Sequence, residues 1–138
     1  MATVIRAEIS EKNKYWISKH RHYELKHFCL QYPSWKRTYM ELDGFEGKSN
    51  DSVYSRLNTP GDPTAKCVEI RTLYLERMDL LKRIAYEADP YLANYILKAV
   101  TEGLSYTYLK SKLAIPCGRD MYYDRYRKFF WLLSEARK

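Results

Sequence analysis

Residues 116–138 read PCGRDMYYDRYRKFFWLLSEARK, and this stretch decides how the rest of the chain is interpreted. One face of a helix is predicted to be buried, because large apolar side chains recur at i, i+4, i+7 and i+11: Tyr122, Tyr126, Phe129 and Leu133. The opposite side is predicted to carry Arg119, Asp120, Tyr123, Arg127 and Lys128. A terminal helix that packs on one side and meets an acidic partner on the other fits this pattern.

Composition supports a folded, basic protein. The chain has 138 residues, of which 46% are hydrophobic and 30% are charged, and this excludes wholesale disorder. Lys and Arg number 24 against 17 for Asp and Glu, which gives a formal charge of +7. Such an excess attracts polyanions, with nucleic acid first and an anionic membrane surface second.

The cysteines and the N-terminus predict a cytoplasmic protein. Cys29, Cys67 and Cys117 are far apart and form no CxxC pair, so we expect reduced thiols and neither a disulfide framework nor a zinc ribbon. The first sixteen residues, MATVIRAEISEKNKYW, contain no apolar segment of the signal-peptide type. No apolar window of about 18 residues occurs, so no membrane partner is expected.

The fold class is predicted to be all-α, a helical bundle with a long central helix. In the N-terminal part, residues 1–44 are interpreted as a helical hairpin. Its first helix covers residues 8–31, and Pro33 prevents the helix from continuing. The second helix has Ser34 as its N-cap and Gly44 as its C-terminal stop. The Gly- and Pro-rich segment 45–62 is interpreted as a flexible linker.

Residues 63–138 are interpreted as the long helix followed by three shorter helices. The long helix has about 25 residues, with Asp62 as N-cap and Pro63 in the first turn, and serves as a bundle spine or as an oligomer interface. Asp89 and Pro90 then start a helix that ends at Gly103. Ser105 caps a short helix, and residues 115–118, IPCG, lead into the terminal helix.

The last three helices meet the requirements of a C-terminal helix-turn-helix, which needs a supporting helix, a short helix, a tight turn and a recognition helix. Leu109 and Leu113 give the short helix an inward face, Ile115 is the apolar turn residue, and Cys117 or Gly118 caps the recognition helix. The candidate DNA-binding residues are Ser105, Tyr106, Lys110, Lys112, Arg119, Asp120, Tyr123, Arg127 and Lys128.

Their chemistry divides them into base readers and phosphate contacts. Arg119 can reach guanine O6 and N7 in the major groove, and Asp120 can accept from a cytosine amino group. Tyr123 can meet a thymine methyl group or a phosphate. The remaining cations are assigned to phosphates: Lys110, Lys112, Arg127 and Lys128.

The organisation of the chain resembles the RinA and ArpU group of late transcriptional regulators from phages of Gram-positive bacteria. The resemblance lies in CLQYPSWKRTYMEL, in the long helix DPTAKCVEIRTLYLERMDLLKRIAYEA, and in a terminal unit similar to sigma-factor region 4, SYTYLKSKLAIPCGRDMYYDRYRKFFWLL. It implies activation of phage late genes in the cytoplasm of a bacterial host cell. Double-stranded DNA is the expected partner, with host RNA polymerase and a second copy of the chain as further partners. CGRDMYYDRYRKFF is more aromatic than the usual recognition segment.

Other functions stay open beside this one. A small terminase subunit for DNA packaging is also short and helical, and a helical protein-interaction module needs no DNA at all. His20, Glu24 and His27 share a helix face that could hold Zn²⁺, or belong to a solvated basic helix. Cys117 lies near a helix N-terminus and close to Arg119 in sequence, and both are expected to lower the pKa of its thiol. Alternatively, Cys117 acts only as a helix cap. No nucleophile elbow, Walker motif or dinucleotide motif occurs, so no enzyme, cofactor or metal is expected.

Overall fold

The computed structural model describes residues 12–46 and 63–138, and in these ranges the chain forms helices and turns without a β-strand. The predicted all-α class is confirmed. No helix in the described part of the chain is both long enough and apolar enough to span a bilayer. The helices are α1 (Lys19–Leu30), α2 (Tyr32–Glu46), α3 (Pro63–Ala88), α4 (Ala93–Glu102), α5 (Tyr106–Leu113) and α6 (Arg119–Ala136).

Helix α1 begins later than the predicted start at residue 8. The Ser18 hydroxyl accepts a hydrogen bond from the Arg21 amide at 3.3 Å, and this N-cap fixes the first turn at Lys19. Before it, the Asn13 side chain accepts from the Tyr15 amide at 2.8 Å and holds a turn. Residues 8–11 of the predicted helix lie outside the described residues.

Helix α2 shows that Pro33 does not act as a helix breaker. The helix begins at Tyr32, so Pro33 lies in its first turn, where the missing N–H would have no intrahelical acceptor anyway. The prediction of Ser34 as N-cap is therefore wrong. The prediction of a stop at Gly44 is also wrong, because α2 continues to Glu46.

The chain divides into two compact units, Met1–Gln31 with Leu80–Lys138, and Tyr32–Asp79. This grouping differs from the predicted hairpin over 1–44, because α1 belongs to the first unit and α2 to the second. The physical reason is that α1 packs against α4 and α6. Of the predicted linker 45–62, residues 45 and 46 belong to α2 and the rest lies outside the described residues.

In the first unit, α1, α4 and α6 pack against one another in pairs. Side chains from every helix of this unit, and from the turn before α6, form its core. The buried apolar residues include Leu25, Phe28, Cys29, Leu81, Ile84, Ala85, Ala88, Leu92, Ile96, Ala99, Val100, Leu109, Ile115, Tyr122, Tyr126, Phe129, Phe130 and Leu133.

The predicted 25-residue helix is confirmed as α3, which has 26 residues; its proposed cap, Asp62, lies outside the described residues. Asp89 follows α3 and accepts hydrogen bonds from the amides of Tyr91 and Leu92 at 2.9 and 3.2 Å. Residues 90–92 are thereby held as a turn, so α4 starts at Ala93 rather than at the predicted Asp89 and Pro90. Helix α4 ends as predicted at Gly103, whose φ of 70° is left-handed.

The second unit contains α2 and the first part of α3. Trp35, Leu42, Cys67 and Met78 are buried there. The Trp35 ring stacks on Tyr74 with ring centroids 6.4 Å apart. Arginine side chains lie over aromatic rings of the same unit, with Arg71 4.8 Å from the Tyr39 centroid. Apolar side chains also remain exposed in this unit, among them Met40, Val68, Ile70, Leu73 and Leu75.

Candidate nucleic-acid interface

Helix α5 is closed at both ends by its own sequence. The Ser105 hydroxyl accepts from the Tyr108 amide at 3.1 Å, which confirms the predicted N-cap. At the other end Ala114 is left-handed, with φ 53° and ψ 48°. This turn directs Ile115 inward to 1% exposure, and its amide donates to the Leu109 carbonyl at 3.1 Å. Leu109 is fully buried, whereas Leu113 is only half-buried.

The start of α6 is tied to the start of α5. Gly118 is the N-cap of α6 and has extended backbone, and because glycine has no side chain, no side-chain hydrogen bond caps this end. The Tyr106 hydroxyl donates to the Cys117 carbonyl at 2.7 Å. Since Tyr106 is the first residue of α5, this bond fixes the turn against the short helix.

Arg119, the first residue of α6, is exposed, and its guanidinium carbon lies 5.1 Å from the centroid of the Tyr106 ring. That distance is within the range of a cation–π interaction. The Tyr106 ring is itself 7% exposed and lies against Tyr122 and Tyr123, with centroids 5.6 and 6.4 Å away. A buried aromatic ring therefore supports an exposed guanidinium.

The inner face of α6 is wider than the sequence predicts. The predicted stripe of Tyr122, Tyr126, Phe129 and Leu133 is buried. Tyr123 and Phe130 are buried as well, at 4% and 2% exposure. The prediction that Tyr123 lies on the outer side is wrong, because its ring packs edge-on against Tyr122 and Tyr126, with centroids 5.0 and 5.9 Å away.

The structure divides the nine predicted site residues by exposure. Lys110, Lys112, Arg119 and Asp120 are exposed. Ser105 is exposed, but its hydroxyl is used by the helix cap. Arg127 and Lys128 are half-buried, and Tyr106 and Tyr123 are buried. Tyr106, predicted as a DNA-binding residue, has its ring packed in the core and its hydroxyl bonded to the turn, which does not favour a direct contact with DNA.

Some exposed cations of the neighbouring helices form ion pairs within their own helix. Lys98 of α4 pairs with Glu102 at 3.1 Å, and Arg83 of α3 lies 3.9 Å from Glu87. Among the residues that the structure describes, no carboxylate forms a salt bridge with Lys110, Lys112 or Arg119. Their charges are accordingly not neutralised by an acidic neighbour.

Helix α1 holds the C-terminal half of α6. Arg21 donates from Nε to the Ser134 hydroxyl at 3.1 Å and from Nη2 to the carbonyls of Ser134 and Arg137 at 3.2 and 2.9 Å. These bonds satisfy carbonyls at the helix end, which lack intrahelical donors. Arg137 in turn lies 3.7 Å from the centroid of the Phe28 ring. The N-terminal half of α6 is the part with exposed Arg119 and Asp120.

Arg127 lies at the boundary of this contact. Together with His22, Tyr126 and Phe130 it lines a narrow crevice beside α1. Its Nε is buried, and no hydrogen-bond acceptor for it lies within the described part of the chain. Part of the Arg127 side chain is thus committed to packing, which weakens its predicted role as a simple phosphate contact.

An ion-pair network that the sequence analysis missed fixes α6 to the end of α3. Asp89 is 7% exposed and accepts from Arg125 Nε at 3.0 Å, while Arg125 also donates to Asp124. Hydrogen bonding to Asp89 raises the pKa of Arg125. The sequence contains the acidic cap before Pro90 but no signal for a partner 36 residues away.

The structure also bears on the alternative zinc site and on the reactivity of Cys117. In the described ranges no three His, Cys, Asp or Glu side chains cluster as metal ligands. On the helix face with His20 and His27, Glu24 instead forms a salt bridge with Arg21 at 2.7 Å. The pKa of Cys117 is raised rather than lowered, first by burial and then by the charge of Asp89. The expectation of a lowered Cys117 pKa is therefore wrong.

Comparisons with protein-family models, with curated proteins and with solved structures found no match to this chain.

Proposed function

We propose that this chain is a sequence-specific, DNA-binding transcriptional regulator in which α5, residues 114–118 and α6 act as a helix-turn-helix. One observation carries the proposal. Arg119, exposed in the first turn of α6, lies over the buried Tyr106 ring and belongs to the same unit as Lys110 and Lys112 of α5, which form no salt bridge within the described residues. A short helix, a tight turn with a buried apolar residue and a longer helix are the parts of that motif. The formal charge of +7 favours a polyanionic partner.

The exposed residues, together with half-buried Lys128, are assigned to the groove and to the backbone of B-DNA. Arg119 would donate to guanine O6 and N7, and Asp120 would accept from a cytosine amino group. Lys110, Lys112 and Lys128 would contact phosphates. Tyr106 and Tyr123 leave the set of direct contacts because they are buried.

The biological setting comes from the resemblance to RinA and ArpU regulators. It supports activation of phage late genes in the cytoplasm of a bacterial host, through binding near a promoter and contact with host RNA polymerase. The chain is proposed to act by binding alone, without catalysis.

An electrophoretic titration tests the proposal. The full chain is titrated against DNA from upstream of the genes beside its own, with excess non-specific competitor, and Arg119→Ala is compared with Arg83→Ala, an exposed arginine of α3. We expect a discrete complex that survives competitor and is weakened about tenfold or more by Arg119→Ala alone, because one bidentate contact to guanine is worth about 1–3 kcal/mol. Uniform weak binding by all three proteins would overturn the proposal.

A protein-interaction module is the second candidate, and the second unit favours it. Met40 is 61% exposed there, and Val68 and Leu73 are 46% and 44% exposed. Exposed apolar side chains of this kind can contribute to docking surfaces. The absence of any DNA complex at low salt would favour this candidate, since non-specific electrostatic binding is strongest there.

A further inference from the structure

Tyr106 combines two contacts that point to one task. Its hydroxyl donates to the Cys117 carbonyl at 2.7 Å, two residues before Arg119. Its ring face meets the Arg119 guanidinium at 5.1 Å. One side chain therefore holds both the backbone that leads into α6 and the charged group at the start of α6.

The ring that does this is itself fixed. Tyr106 is 7% exposed, and the rings of Tyr122 and Tyr123 lie within 5.6 and 6.4 Å of it. The Ser105 cap fixes the backbone at the start of α5, immediately before Tyr106. A rigid ring under a long, otherwise mobile side chain reduces the rotamer freedom that the arginine would lose on binding.

We infer that Tyr106 is a positioning residue, which orders the Arg119 guanidinium for base reading and does not itself touch DNA. The inference rests on the proposed function, and it names how specificity at that same site is achieved. Loss of the ring should lower binding to the specific site while leaving non-specific binding to phosphates unchanged, because Lys110 and Lys112 do not depend on the ring. A purely structural role would weaken both kinds of binding together.

The test is a double-mutant cycle on the full chain with Tyr106→Leu, Arg119→Ala and the double variant. We expect Tyr106→Leu to lower specific affinity about fivefold, the size of a well-placed cation–π contact, and to cause no further loss in the Arg119→Ala background. Additive losses in the double variant would overturn the inference. Tyr106→Phe keeps the ring and loses only the hydroxyl bond to Cys117, so it should retain most of the specific affinity. Unchanged non-specific binding by Tyr106→Leu shows that the Leu variant is folded.

A second readout needs no DNA. The Arg119 side-chain protons should resonate upfield in the NMR spectrum of the wild type and of Tyr106→Phe, since they lie over a ring face, and should return to ordinary positions in Tyr106→Leu. Ordinary positions in the wild type would overturn the positioning role. If the upfield shift is present but the wild type forms no specific complex, the proposed function fails, and the role of Tyr106 in base reading fails with it, while the geometry stands.

Discussion

At the scale of single residues, His22 has an environment that disfavours its charged form. It is 1% exposed, its ring meets Phe130 edge-on with centroids 4.8 Å apart, and its Nε2 has no hydrogen-bond partner within the described residues. Burial, followed by the charge of Lys26, lowers the pKa of His22 from 6.5 to about 4. The contact between α1 and α6 therefore requires a neutral imidazole.

This predicts an acid-sensitive fold. The unfolded chain binds a proton at His22 below pH 6.5, whereas the folded chain does so only near pH 4, so stability is complete above this window and is lost as the pH falls through it. The loss should reach about 3 kcal/mol, at about 1.4 kcal/mol per pKa unit. Urea unfolding from pH 7.5 to 4 measures it. His22→Leu should flatten the profile in this window, and exposed His20→Gln should not; equal slopes in all three proteins would contradict the prediction.

Asp89 is predicted to be the most sensitive polar residue of the first unit. It accepts from two backbone amides and from Arg125, and its side chain is 8% exposed. Asp89→Ala should destabilise the fold by about 2–3 kcal/mol, because charge-assisted bonds are lost and buried donors remain. Asp124→Ala removes the other carboxylate that accepts from Arg125. The Asp124 side chain is 40% exposed, so its loss should lower the free energy of unfolding by less than about 1 kcal/mol. Urea denaturation compares the two, and equal losses would contradict the greater contribution predicted for Asp89.

At the scale of helices, two left-handed residues end α4 and α5, but only one of them is a glycine. Ala114 has φ 53°, where a Cβ is unfavourable, and Gly103 has φ 70°. Ala114→Gly should raise the free energy of unfolding by about 1 kcal/mol, and Gly103→Ala should lower it by a similar amount. A Cβ at Gly103 would meet only Leu30 Cδ2 at 3.6 Å, an ordinary contact, so the change reports backbone strain alone. Thermal unfolding measures both variants, and a stability loss in Ala114→Gly would contradict the assignment.

Local patterns predicted the helices better than they predicted helix partners. Ser105 and Gly103 were found because caps and stops depend on a few neighbouring residues. Pro33 alone does not show where the helix ends, because proline is compatible with the first turn of a helix as well as with a break. The contact of α1 with α4 and α6, and the Asp89 bond to Arg125, depend on residues distant in sequence, for which periodicity carries no signal.

The candidate site was predicted in part for the same reason. Exposure of Arg119 and Asp120 follows from their position at the start of α6, and exposure of Lys110 and Lys112 from the polar side of α5. The burial of Tyr123 and Tyr106 does not follow from the sequence, because a tyrosine suits a wet surface and a core equally well. Only the packing of several rings against one another, seen in the structure, decides between the two.

At the scale of the whole molecule, the two compact units have different surfaces. The unit formed by Met1–Gln31 and Leu80–Lys138 carries Lys110, Lys112 and Arg119 on α5 and at the start of α6, whereas Tyr32–Asp79 carries Lys36, Arg37 and Lys66 on α2 and α3. Both units also expose apolar side chains. DNA binding is proposed for the first unit, so the position of the positive charges should matter, and not only the net charge of +7.

The most direct test compares two triple variants of the full chain that remove the same number of charges. One carries Ala at Lys110, Lys112 and Arg119; the other carries Ala at Lys36, Arg37 and Lys66, which are exposed in the second unit. Anisotropy titrations against upstream DNA with competitor should show a loss of about 100-fold or more for the first variant and less than about threefold for the second. Equal losses, or no loss in the first variant, would contradict DNA recognition by α5 and α6.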